Sequence, residues 1–444
     1  MATIKPLRGL RYNPKRFPDL STVVAPPYDV LSEAERAAYC ARDEHNIVRL
    51  TLGPEPLQDD PPDARYEQAA RDLRRWMEEG VLVSDERPAI YPLETVYEVP
   101  EDMRLLDEGL VRQGFACLLE LEPLGERHVF PHEGTLPGPK RDRLRLLRAC
   151  RAAFEQILLL YSDPEGATLD LLRPEGDPPF ALRDDDGVEH RLWAMHDEDR
   201  IRALADAVRD RPVVIADGHH RYETALAYRR EMHAQGAGPG PWDYVLVCLC
   251  NADAGGVTIL PSHRALEGVP PGATASFAQR AVAHFGVEAL PVGTTADATT
   301  IARRLLDHMR EAPPGECRLG FYAGRDRTLV LSARSDSLPA HLFPARMSGI
   351  GRSLDVVVLH EVVIKRLLDF EPVVVEGACN IHFRRQAANA IAWVDECPGR
   401  VALLVNPARV EQVIRLALAG ERMPQKGTYF YPKLLSGTVM YRWD

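Results

Sequence analysis

Lysine is scarce in this chain of 444 residues, occurring only at positions 5, 15, 140, 365, 426 and 433 among 54 cationic side chains. None follows a glycine, so the G-x-x-x-x-G-K-[ST] loop of P-loop nucleotidases is absent. The eight cysteines form no C-x-x-C pair and no repeated spacing, which excludes a zinc ribbon and a disulfide framework and leaves buried thiols as the expectation. Apolar runs are short. The longest, Ile157 to Tyr161 and Val356 to Val363 with its His360-Glu361 interruption, fall far below the roughly 20 residues a membrane-spanning helix needs. The start Met1-Ala2-Thr3-Ile4-Lys5-Pro6 lacks a secretory signal pattern, so cytoplasmic residence without a membrane partner is expected. Positive charge is also in deficit, with 54 Lys and Arg against 65 Asp and Glu and a net charge of −11, which argues against broad nucleic-acid adhesion. His132-Glu133 has Leu136 where H-E-x-x-H requires a second histidine, and no G-x-S-x-G is present.

What is present is ordinary globular material, 45% hydrophobic and 27% charged, enough for two or three packed units. Apolar periodicity predicts helices from near Ser32, at 141–154, 198–209, 221–233, 273–284, 298–310 and 410–419. Strands are predicted at 47–52, 89–99, 114–121, 157–161, 212–216, 244–250, 257–260, 317–323 and 328–331. Proline-rich stretches at 54–62 and 164–186 read as loops, and the glycine-proline run at 236–242 as a linker. The interleaving implies an α/β or α+β fold with mixed sheets and flanking helices, divided into an N-terminal unit, 1–236, and a C-terminal α/β unit, 243–444.

Chemistry concentrates in a few places. Asp217-Gly218-His219-His220-Arg221 lies where an apolar strand passes into a helix, and free N–H groups and the helix dipole attract anions there. Gly218 would allow close approach, Arg221 would fork onto phosphate, and His219 or His220 would donate or transfer a proton. The bland alternative is that Asp217 caps the helix while the histidines satisfy one another. His132-Glu133-Gly134-Thr135 precedes Lys140-Arg141-Asp142-Arg143, a carboxylate beside three cations suited to a general base near phosphate oxygens, or simply a turn before a solvated helix. Met423 to Lys433 is an aromatic loop that could be a lid or a packing clasp. Tyr28-Asp29 and Ser262-His263-Arg264 could line the same cleft or be satisfied turn residues.

These segments, Ala25 to Val30, His132 to Thr135, Val214 to Ala225, Pro261 to Arg264 and Met423 to Lys433, resemble in order the bacterial and archaeal family known as domain of unknown function 1015. The D-G-H-H-R segment is also similar to that of free-serine kinases of the ParB/sulfiredoxin-like superfamily, which implies a core of that type in the first half. In those kinases an upstream glutamate is the base. The resemblance implies that role for Glu133, with an insertion needed to account for its long separation from Asp217.

The resemblance implies a nucleotide-dependent phosphotransferase acting on free L-serine or a similar hydroxyl compound, with ATP or ADP and Mg²⁺. Asp217 would hold the metal, and Glu133, Asp217, His219 and His220 would be catalytic. Gly218, Arg221, His132, Thr135, Lys140 and Arg143 would bind nucleotide phosphates. Tyr28, Asp29, His263, Arg264, Lys426 and Lys433 would meet the substrate. The partners expected are the nucleotide and a small molecule, with no nucleic acid or membrane, and the one protein partner allowed is a second copy of the chain. Other readings are a ParB-like nucleotide-binding switch and a non-catalytic scaffold.

Overall fold

The computed structural model describes all residues except 1, 54–62, 101–108, 294, 335, 376–377 and 444. The fold is mixed α/β, built on a nine-stranded sheet and a six-stranded sheet with flanking helices and several two-stranded ribbons. Along the larger sheet the strands run Val129–Pro131, Val213–Asp217, Ile157–Tyr161, Tyr244–Asn251, Leu110–Glu120, Tyr91–Tyr97, Glu189–Leu192 and Phe180–Arg183, with Ile4–Lys5 also paired to Leu110–Glu120. Its central strands are apolar on both faces. Ile157 to Tyr161 and Val245 to Cys250 are buried throughout, one face packing on Phe115, Leu204 and Tyr222 and the other on Leu118, Leu146 and Phe154.

One strand pair positions the chemistry. Val129–Pro131 and Val213–Asp217 are parallel, with Val213 opposite Val129 and Ile215 opposite Pro131. Residues at and just beyond their ends, Asp217-Gly218 and His132-Glu133, therefore emerge side by side at one end of the sheet. Helices Pro137–Cys150 and His219–Ala234 follow these two strands and pack against each other. The first starts at Pro137, earlier than the predicted 141, because proline is favoured in the first turn, where its missing N–H costs nothing.

The second sheet is antiparallel, in the order Gly286–Ala289, Thr328–Arg334, Glu316–Tyr322, Val401–Val405, His263–Leu266 and Ile381–Arg384. The strand after the 236–242 loop, Tyr244–Asn251, belongs to the first sheet, so the two sheets change over after that strand and not at the loop. The chain end also returns: Tyr429–Tyr431 pairs with Thr258–Leu260, and Tyr441–Arg442 pairs with Ala152–Ala153.

Three local expectations need correction. The 47–52 run is mostly a short helix, Val48–Thr51, because the Asn46 side chain accepts from Val48 N–H at 3.0 Å and donates to Thr22 O at 2.8 Å, turning the chain; an all-buried apolar run suits either element. The 164–186 stretch contains helix Ala167–Leu172 and edge strand Phe180–Arg183, with Asp184 accepting from Asp186 and Val188 N–H to close a hairpin. The cysteines are not all buried, since Cys379 and Cys397 are exposed. The 54–62 loop lies outside the described residues. Among those described, no helix is long and apolar enough to cross a membrane.

Candidate active site

Asp217 ends its strand with both carboxylate oxygens engaged. Lys433 Nζ donates to Oδ1 at 2.8 Å and Arg221 Nη2 to Oδ2 at 2.9 Å. Burial alone would raise this carboxyl, but Lys433 and Arg221 outweigh it and hold the group far below the usual range. Burial likewise disfavours the Lys433 ammonium, and Asp217 more than compensates. Arg221 also donates to Gln156 O and lies 3.8 Å from Glu155, which in turn accepts from Tyr28 N–H and Ser436 Oγ. The Arg221 fork is thus committed to protein oxygens instead of standing free for phosphate. Asp217 does not cap the helix. Gly218 is the capping residue, at φ +93°, and a Cβ there would sit 3.0 Å from the Arg221 guanidinium.

Glu133 has a different environment. Burial pushes its carboxyl up to about 7, against the N–H groups of Lys426 and Gly427 and the field of Arg264. Lys426 N–H donates to Oε1 at 2.8 Å. The 423–433 loop is stitched to this strand end, because Met423 N–H donates to His132 O at 2.7 Å and Thr428 Oγ1 lies 2.8 Å from His132 Nε2. His132 Nδ1 is 2.6 Å from Ile215 O, so the ring spans from the second parallel strand to the loop.

The histidines are neutral. Burial lowers His132 to about 4 and takes His219 well below its ordinary value. Their rings meet edge to face at 4.7 Å, and the His219 Nε2 is buried with no hydrogen-bond partner among the described residues. His220 is also lowered by burial, and its Nε2 accepts from Leu136 N–H at 2.9 Å, which puts its proton on Nδ1. Thr135 Oγ1 and Lys140 Nζ converge on Glu223, at 2.8 and 2.7 Å.

The predicted residues therefore divide. Glu133, His132, Asp217, Gly218, His219, Lys426 and Lys433 gather at the end of the parallel pair, with Thr135, His220 and Lys140 on the adjoining helix starts. Tyr28 lies beneath Arg143 at 4.0 Å, and Asp29 is exposed nearby, its field reaching His220 and Arg221. Arg143 is buried, donating to Thr51 O and Asp142, an arrangement that packs the helix and leaves no fork for phosphate. His263 is buried inside the second sheet, where its Nδ1 accepts from Val405 N–H at 3.2 Å, and so lacks the exposure a substrate contact requires. Arg264, its neighbour, does face the Glu133 side, through Lys426 O at 3.1 Å. The sequence reading missed Glu155, Glu223 and Thr428. Glu223 had a signal, four residues after His219 and so on the same helical face; Glu155 and Thr428 had none.

A magnesium site on Asp217 fits poorly. Divalent cations of this kind take carboxylate and phosphate oxygens, whereas both Asp217 oxygens are already neutralised by cations. Among the described residues no group of three His, Cys, Asp or Glu side chains is placed to hold a metal ion.

The chain belongs to the family described as protein of unknown function (DUF1015), whose model matches residues 4–357. Among solved structures it is similar to a glutamine-for-glutamate variant of a free serine kinase in complex with AMP, at 11% identity, TM-score 0.38, covering 74% of this chain and 92% of that one. An alanine variant of free serine kinase in complex with ADP gives 12% identity, TM-score 0.37 and coverage of 78% and 95%. A conserved hypothetical protein from Pyrococcus furiosus gives 13% identity, TM-score 0.34 and coverage of 72% and 92%. No curated protein matches the chain.

Proposed function

We propose that the protein is a nucleotide-dependent phosphotransferase whose acceptor is the hydroxyl of a small molecule, free L-serine or a related compound. The observation that carries this reading is the pairing of a carboxyl that titrates near neutrality, Glu133, with a cationic cluster around Asp217 at the shared end of two parallel strands. Phosphoryl transfer asks for positioning and charge neutralisation more than covalent chemistry. The acceptor oxygen attacks the terminal phosphorus of ATP or ADP, the bond from that phosphorus to the bridging oxygen breaks, and ADP or AMP leaves. The acceptor's proton passes to the Glu133 carboxylate. Lys426 and Lys433 balance the phosphate charge, while Asp217 fixes Lys433 and Arg221 in place. Neutral His219 offers its unpartnered nitrogen as a hydrogen-bonding group. Magnesium would accompany the nucleotide as part of that substrate.

A neighbouring cavity of about 530 Å³ suits the nucleotide. It is lined by Arg141, Arg230 and Arg422, by Lys140 paired with Glu223, and by Glu126, with Leu144 and Leu226 among its apolar residues, so cations outnumber carboxylates four to two. The test is nucleotide consumption with and without a hydroxyl acceptor, in wild type and Glu133→Gln. Acceptor-stimulated turnover that falls about 10²- to 10⁴-fold in the variant supports the reading. Turnover indifferent to the acceptor refutes it.

A further inference from the structure

The second half of the chain supplies a cavity whose lining reaches toward Glu133 through Arg264 and through Gln425, the residue before Lys426. It measures about 250 Å³ and is lined by Arg264, His360, Pro372, Ile381, Phe383 and Gln425. Taking a water's share of liquid volume as about 30 Å³, this is room for a compound of roughly six to eight non-hydrogen atoms. Gln425 immediately precedes Lys426, whose N–H binds Glu133, and Arg264 joins Lys426 as a cation whose field reaches that carboxyl.

Arg264 is 1% exposed, yet among the described residues it has no carboxylate within ion-pair distance. Its Nη1 donates to Ser262 O and Oγ, its Nη2 to Lys426 O, and its plane lies over Phe383 at 4.7 Å. A buried guanidinium held by neutral oxygens, with only the field of Glu133 to offset its burial, is stabilised further by an arriving anion. His360 is kept neutral, lowered to about 4 by burial and then by Lys365 and Arg264, so it adds hydrogen-bonding capacity without charge. It lies on Val358–Leu367, a ten-residue π-helix; such wide turns are rare and recur at functional sites. Among the described lining residues there is no Asp or Glu, so no carboxylate among them pairs an ammonium group.

We propose that this cavity binds the carboxylate of the acceptor on Arg264, His360 and Gln425, and that the preferred acceptors are small hydroxy acids lacking an amino group. This rests on the phosphotransferase reading and narrows its substrate class. An acceptor anchored at Arg264 extends its hydroxyl toward Glu133, and the apolar walls Pro372, Ile381 and Phe383 face its carbon skeleton.

The experiment compares glycerate, L-serine and glycerol, as acceptors in a turnover assay and as ligands by calorimetry, in wild type and Gln425→Glu. The substitution is nearly isosteric in a loop and places a carboxylate in the cavity. Wild type should prefer glycerate. The variant should weaken glycerate at least tenfold in KM and Kd and shift the selectivity ratio toward L-serine, whose ammonium the new carboxylate would pair. A wild type that prefers L-serine or glycerol, or a glycerate affinity untouched by the substitution, overturns the assignment while leaving phosphotransfer standing. If no compound is phosphorylated, the phosphotransferase reading fails, and calorimetry with glycerate still decides the cavity: tight binding lost in Gln425→Glu upholds an anion site, and no binding removes it.

Discussion

Replacing Glu133 by Gln should make the protein more stable at neutral and alkaline pH while abolishing its chemistry. The side chain's carboxyl is displaced from 4.5 to about 7, chiefly by burial. A carboxyl whose folded value is raised binds its proton more tightly in the native state. Stability is therefore unaffected below about pH 4, declines as pH rises from about 4.5 to 7, and stays reduced above that. At 1.36 kcal/mol per pKa unit, and with solvent at the cleft screening part of the effect, the penalty above pH 7 is roughly 2–3 kcal/mol. Glutamine keeps an oxygen to accept the Lys426 N–H, which donates at 2.8 Å in wild type, and carries no charge to desolvate. Urea unfolding of both proteins from pH 4 to 9 isolates the effect, because every other titrating group cancels in the difference. The curves should coincide near pH 4 and separate to roughly 2–3 kcal/mol by pH 8. A variant equal to or less stable than wild type at pH 8 would refute the assignment of a strained, neutral-range carboxyl.

Lys433→Met leaves the half-buried Asp217 with Arg221 alone and should cost about 2–3 kcal/mol in denaturant unfolding; a loss under 1 kcal/mol would show that the pair is solvated. Gly218→Ala forces an L residue to φ +93° with its Cβ 3.0 Å from Arg221, for an expected loss of about 1–3 kcal/mol and a displaced Arg221, measurable by melting and by a crystal structure of the variant. Arg143→Ala should lower stability, by losing its contacts to Tyr28 and Thr51 O, yet leave nucleotide affinity within twofold by calorimetry. A large loss of affinity there would restore Arg143 to the phosphate site.

Much of the fold was legible because its signals are local. The 213–217 strand ends in Asp-Gly, and the 298–310 helix carries a clean apolar stripe of Ile301, Leu305 and Met309. Val48–Thr51 was misread because a short, fully buried apolar run has no period to separate helix from strand, and the Asn46 side chain decides the matter through Thr22, a distant partner. Similarly, the residue types of Asp217 and Arg221 suggested phosphate and metal binding, but their partners, Lys433 and Glu155, lie 216 and 66 residues away from Asp217 and Arg221 and determine what the two groups are free to do. The pairing of the His132-Glu133 and Asp217-Gly218 segments was legible as two motifs and not as one site, since only the register of two parallel strands joins them.

The central claim is that this strand end transfers a phosphoryl group to a hydroxyl. Its most direct test follows the phosphorus NMR spectrum of the purified protein with magnesium, ATP or ADP and a panel of hydroxyl compounds that includes L-serine and glycerate. The account predicts a new phosphomonoester resonance with one acceptor, formed with stoichiometric loss of nucleotide and absent in Asp217→Asn. A spectrum that shows bound but unconsumed nucleotide, or free phosphate alone whatever the acceptor, would contradict it.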